Sequence, residues 1–252
     1  MEMIDVVYFT DPVCPWSWAA EPVLRRVEAE FGDQVRIRYV MVGMAREVDA
    51  AHELRELLEA VGQIGMPADP RVWIDGPPRS SHPACLAVKA AAEQRLDGPY
   101  LRRLRLGLMT RRERLDNPEA LLAAARDVPG LDVARFDIDM RSNAIVEAFG
   151  ADRELAGRRP GIPAFAIDGG TPLERPDVEG LRAAVLAAGG DPQPLPDVET
   201  ALRRLGEAGA AEVAAACGLP GPRARMELWR LAAEWRVRAR PLVCGELWEP
   251  TG

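Results

Sequence analysis

Apolar residues dominate Ile4–Thr10 (Ile4, Val6, Val7, Tyr8, Phe9), and that run predicts a buried strand. Residues 18–31 follow with helical texture, and Pro22 inside that pattern predicts a kink. Residues 34–41 alternate, with Val35, Ile37, Tyr39 and Met41 set against Arg36 and Arg38, as in a strand with one covered face. Strand, helix and strand make a βαβ unit, whose crossover is normally right-handed. Residues 50–62 read as a short amphipathic helix ended by Gly62. The Pro- and Gly-rich stretch 65–83 reads as a connector over the surface.

From residue 83 to about 157 the period is helical throughout. Cys85, Val88 and Ala92 share a face, as do Leu101, Leu104 and Leu108, and Asn117-Pro118-Glu119 is a capped helix start. Four or five helices with no strand between them form an insertion. Strand texture returns at residues 161–168, Gly169-Gly170 turns the chain, and residues 171–174 can pair back as a hairpin. Val178, Leu181 and Val185 mark a further helix. Residues 191–196 (Asp-Pro-Gln-Pro-Leu-Pro) read as a stiff linker. Beyond it come helix, helix, turn, helix and two strands, which is the order of a winged helix. The expected organisation is therefore residues 1–190 as one α/β domain with an insertion at about 50–157, then a separate module at 197–252.

Composition narrows the function classes. The 48% hydrophobic content suits a full core, while the net charge of −7 argues against nucleic-acid binding. Residues 197–252 hold eight arginines and eight acids, no basic excess for a DNA reader, so that module is expected to serve protein contact. No apolar run is long enough for a membrane span and no secretory signal is visible, so a cytoplasmic protein is expected. Cys14, Cys85, Cys217 and Cys244 are too widely spaced for a metal site, and free thiols are expected.

The chemistry concentrates at Asp11-Pro-Val-Cys-Pro-Trp-Ser-Trp18, between the first strand and the helix. A cysteine at a helix start meets free N–H groups and the positive end of the helix dipole, which should make Cys14 a nucleophilic thiolate. Pro15 suits the first helical turn, and Ser17 can donate to the thiolate. Asp11 is read first as a turn former, Trp16 as a groove wall and Trp18 as a core residue. Ser81-His82-Pro83 caps the next helix. Cys85 has core spacing, and the arginines at 102, 103, 105, 111, 112 and 114 read as a solvated helix face.

Three motifs in this order resemble the thioredoxin-fold DsbA family, and in particular its FrnE-like branch. They are the stretch around Cys14, Ser81-His-Pro-Ala-Cys-Leu-Ala-Val-Lys-Ala-Ala91, and Gly161-Ile-Pro-Ala-Phe165. The superfamily also contains 2-hydroxychromene-2-carboxylate isomerases, kappa-class glutathione transferases and adaptors for the Clp protease. The resemblance implies a thioredoxin-like fold with a helical insertion, a cis Pro163 facing Cys14, and an Ile162 backbone able to pair with a bound peptide. It also implies that His82 approaches Cys14, and that Asp177 stands where glutathione-binding relatives hold the γ-glutamyl end. With Ser17 in place of a second cysteine, the expected activity is monothiol disulfide exchange on a thiol or disulfide substrate. No cofactor is expected to be permanently bound, and glutathione or a second thiol would act as resolver. A glutathione-dependent isomerase or transferase, and a redox-inactive adaptor binding a protein client, are the alternatives.

Overall fold

The computed structural model describes residues 3–157 and 161–251. At its centre is β1 (Ile4–Thr10), whose apolar run is buried on both faces. It pairs in parallel with β2 (Val35–Met41), from Ile4 opposite Val35 to Thr10 opposite Met41. On its other side it runs antiparallel to β3 (Ala164–Ile167), which pairs with the short β4 (Leu173–Glu174), giving the sheet order β2-β1-β3-β4. Tyr8 and Phe165 meet across the ladder with stacked rings 4.3 Å apart.

The helix read at residues 18–31 is two helices, α1 (Pro15–Ala19) and α2 (Glu21–Phe31), broken at Ala20. Pro22 explains the break, because it has no N–H to give the Trp18 carbonyl four residues back. Leu24, Val27 and Phe31 of α2 cover one face of the sheet together with Leu181 and Val185 of α10 (Val178–Ala187).

The helix α3 (Ala50–Ile64) runs past Gly62 and stops at Gly65, which takes the left-handed conformation, with φ at 79°. The insertion holds five longer helices, α5 (His82–Ala92), α6 (Asp97–Arg111), α7 (Pro118–Arg126), α8 (Val133–Met140) and α9 (Asn143–Ala156). Asp152 of α9 ties them to the sheet, accepting the Met41 N–H at 2.8 Å and pairing with Lys89 at 2.9 Å.

Residues 65–83 are not a surface connector. Met66, Ala68, Val72 and Trp73 are buried there, the last two on the one-turn helix α4 (Val72–Asp75). Ala68 and Cys244 exchange backbone hydrogen bonds of 2.8 and 2.9 Å, so a C-terminal hairpin is laid against this segment. Tertiary burial overrides the turn chemistry of its prolines and glycines.

After the linker come α11 (Val198–Leu205), β5 (Ala208–Gly209), α12 (Ala210–Cys217), α13 (Gly221–Ala233), β6 (Val237–Pro241) and β7 (Glu246–Pro250). These strands form a second sheet in the order β5-β7-β6, with Trp248 buried beneath it. Cys217 packs at the edge of this core, and Cys244 lies in the hairpin turn. The linker is docked: the Gln193 N–H donates to the Glu30 carbonyl at 2.7 Å, and Gln34 bonds Asp191 in both directions.

The arginine-rich face divides: Arg102, Arg103 and Arg105 turn inward, while Arg111, Arg112 and Arg114 stay exposed as expected. Arg105 is wholly buried and donates to Glu21 at 2.6 Å, while Arg102 reaches Glu21 at 3.3 Å and Glu212 of α12 at 2.9 Å. Arg25 of α2 joins the same two carboxylates. Burial alone would raise Glu21, but these three guanidinium groups overcome it and hold the carboxyl below its usual range. Sheet, insertion and C-terminal unit thus meet at one buried charge cluster. Acids within reach of Arg102, Arg103 and Arg105 are what bring that part of the helix inside.

Candidate functional site

The strand-to-helix junction is a tight turn built on Asp11. Its Oδ1 accepts the Val13 N–H at 3.0 Å and its carbonyl accepts the Cys14 N–H at 3.3 Å, the turn expected of Asp-Pro. The carboxyl is also buried. Its Oδ2 accepts the Met44 N–H at 2.8 Å and the Cys85 thiol at 3.4 Å. Burial pushes Asp11 above its ordinary value. Cys85 is therefore core, as its spacing requires, and also a partner of the turn that presents Cys14.

Cys14 is the N-cap of α1, and its sulfur accepts the Ser17 N–H at 3.4 Å. The expectation of an acidic thiolate is not met. Only 4% of the residue is exposed, and burial pushes the thiol up to about 11. Ser17 works against this through its N–H, while its buried hydroxyl has no hydrogen-bond partner among the described residues. Asp11 and Glu53 add to the rise. A five-residue helix also offers a much smaller dipole than the long helix read from sequence.

Glu53, on α3, was not singled out by any motif. It is buried, and its Oε2 has no hydrogen-bond partner among the described residues. Burial, with Asp11, Glu56 and Asp49 nearby, pushes its carboxyl up to about 7. The native state therefore holds this proton where the unfolded chain has lost it, so stability falls as pH rises between the ordinary carboxyl value and about 7. The loss should be on the order of 2–3 kcal/mol. Glu53→Gln should remove that slope in denaturant titrations from pH 4.5 to 8. Parallel curves for the two proteins would refute the assignment.

The Ile162–Pro163 peptide bond is cis, and the Pro163 carbonyl accepts the Arg175 N–H at 2.8 Å. Ile162 packs with the Val7, Phe9 and Val40 cluster on the far face of the sheet. Pro163 lines a groove of about 340 Å³ with Trp16, Val23, Ile64 and Asp177, and Cys14 is not in that lining. Trp16 is held as a wall, its Nε1 donating to Glu56 at 2.6 Å and the Arg175 guanidinium lying 4.5 Å from its ring centre. Arg175 too escaped sequence reading, since only the hairpin brings it there. Asp177 spends Oδ1 on the Gly180 N–H at 2.7 Å, capping α10.

Pro15 is buried in the first turn of α1, and Trp18 is fully buried, with Nε1 donating to the Pro67 carbonyl at 3.0 Å. His82 begins α5, where its ring meets the Phe149 ring edge-on at 5.2 Å and the charge of Asp11, on which the Cys14 turn is built, acts on its imidazole. Burial holds its imidazole below the ordinary value. Among the described residues no cluster of His, Cys, Asp or Glu could hold a metal ion, and no helix is long and apolar enough to cross a membrane.

A family model described as thioredoxin matches residues 8–158, from within β1 to just past α9. The chain belongs to this DsbA-like thioredoxin family. Among solved structures, this DsbA-like protein is similar to the cytosolic disulfide reductase DsbM from Pseudomonas aeruginosa, with a TM-score of 0.63 and 22% identity, over 73% of this chain and 98% of that one. DsbM is also solved with GSH. The oxidoreductase DsbA from Xylella fastidiosa superposes with a TM-score of 0.52 and 18% identity, over 74% of this chain and 85% of its own. These likenesses show the fold. The curated relatives reach further along the chain. The ClpXP adapter protein SpxH of Halalkalibacterium halodurans is 27% identical over 281 residues, covering 97% of this DsbA-like chain and 88% of that protein. SpxH of Shouchella clausii is 26% identical, covering 98% and 88%.

Proposed function

We propose that this chain is a redox-inactive adaptor that holds a protein client and delivers it to a ClpXP-type protease in the cytoplasm. The burial of the Cys14 sulfur carries this reading, because a thiol held near 11 is almost entirely protonated at neutral pH and is a poor nucleophile. Similarity to SpxH adapters runs through the C-terminal unit, beyond the span of the thioredoxin family model. That unit has a winged-helix-like order and no net charge, which suits protein contact better than DNA. The groove beside Pro163, walled by Trp16 and open at Ile64, offers an extended client segment an apolar seat.

Monothiol disulfide exchange at Cys14, with glutathione as resolver, is the second reading, and a glutathione-dependent isomerase or transferase would use the same residues. The cis Ile162–Pro163 bond and the Ser17 N–H on the sulfur favour both. Against them, one oxygen of Asp177 is already used in capping its helix. The proteins to compare are wild type and Cys14→Ala, on a peptide–glutathione mixed disulfide and on binding to the ClpX unfoldase. An adaptor binds equally well in both forms and leaves the disulfide at the uncatalysed rate. Alkylation of Cys14 by iodoacetamide should run about a hundredfold slower than that of a peptide thiol. Turnover by wild type that vanishes in Cys14→Ala would replace the adaptor with an oxidoreductase.

A further inference from the structure

The helix α13 carries two faces, and only one is used. Ala224, Leu228 and Leu231 are buried against the rest of the C-terminal unit. On the opposite side Pro222, Met226, Trp229 and Ala233 are exposed, at spacings that bring them into one line at roughly 100° per residue. Met226 is 63% and Trp229 48% exposed, although large apolar side chains gain by leaving water. Trp229 is also held in place, its ring edge-on to the buried Trp248 at 4.9 Å. A tryptophan fixed before binding loses little freedom on contact, the property of an interface anchor.

The borders of this stripe say what covers it. Arg225 lies along one side, and Arg223 and Arg230 along the other, while Glu227 and Glu234 sit one row further from the stripe. Arg225 is bridged to Glu246 at 2.6 Å and Arg230 to Glu227 at 2.7 Å and to Glu234, whereas Arg223 makes no ion pair among the described residues. An apolar seam edged by cations matches a helix whose own seam is edged by carboxylates. A second copy fits poorly, because antiparallel pairing would set Arg223 against Arg230. A nucleic acid fits poorly too, because the middle of the face is methionine and tryptophan where a base-reading helix presents polar groups.

We propose that the outer face of α13, centred on Met226 and Trp229, docks an amphipathic helix of a partner protein whose apolar stripe is flanked by aspartate or glutamate. This surface lies on a different unit from the Pro163 groove and does not depend on Cys14, so an adaptor would have two separate places to bind. The test uses the full chain and two synthetic helical peptides with the same leucine stripe, one flanked by glutamates and one by lysines. Binding is followed by polarisation of a peptide label, with circular dichroism confirming that each variant is folded.

The glutamate-flanked peptide should bind with a micromolar Kd and the lysine-flanked one at least tenfold more weakly. Met226→Glu should cost tenfold or more. Arg223→Glu, which breaks no ion pair, should cost about three- to tenfold and improve binding of the lysine-flanked peptide. Equal affinity for both peptides, binding of neither, competition by duplex DNA, or concentration-dependent self-association abolished by Met226→Glu would each overturn the proposal. Loss of ClpX binding with peptide docking intact would count against the adaptor reading alone.

Discussion

Glu21→Ala should lower the unfolding free energy by about 3–5 kcal/mol, the cost of leaving a buried guanidinium without its carboxylate. Glu21 is the hub at which Arg25, Arg102 and Arg105 converge, and Arg105 has no solvent to fall back on. Its remaining acceptors are Thr10 Oγ1, the Tyr8 hydroxyl and the Asp11 carbonyl, none of them charged. Because the cluster joins three parts of the molecule, the variant should also unfold less cooperatively in urea, with a reduced m-value. A loss below 1 kcal/mol with an unchanged m-value would mean that the cluster is not what joins them.

Trp18→Ala should be as damaging, at about 3–5 kcal/mol, from a large core cavity. The ring is fully buried, its Nε1 supplies the Pro67 carbonyl, and Arg102 lies 5.0 Å from the ring centre. Trp18→Phe keeps most of the volume and loses the hydrogen bond, so it should recover more than half of the loss. The two stabilities, from chemical denaturation, should differ by 2 kcal/mol or more. Equal losses would place the cost in the hydrogen bond rather than in packing.

Residues that announce themselves over a few neighbours were readable in the chain. The run at Ile4–Thr10, the alternation on β2, the Gly-Ile-Pro opening of β3 and the helix order of the C-terminal unit all appear in the structure. What sequence could not supply was anything decided by a distant segment. The acidity of Cys14 was argued from the helix it begins, but α3 packs on α1 and brings Glu53, so burial wins over the local amides. Arg102 and Arg105 carry the pattern of a wet surface, and only acids from α2 and α12 turn them inward, while Arg111, Arg112 and Arg114 stay outside. Residues 66–70 look like a loop because prolines punctuate them, yet Cys244, far along the chain, provides the backbone partner for Ala68. The ring that meets His82 is Phe149, from the far end of the insertion, a contact no local pattern announces.

The Ala68–Cys244 bridge has a mechanical meaning. With the α2–α12 packing and its Arg25–Glu212 ion pair it fastens the last fifty-odd residues at more than one point, so they do not pivot about the linker as a tethered bead would. A guest seated beside Pro163 and a helper resting on Trp229 would then be kept at one spacing and one angle. The molecule would behave as a jig that aims its cargo, with no slack to be taken up when both sides are engaged.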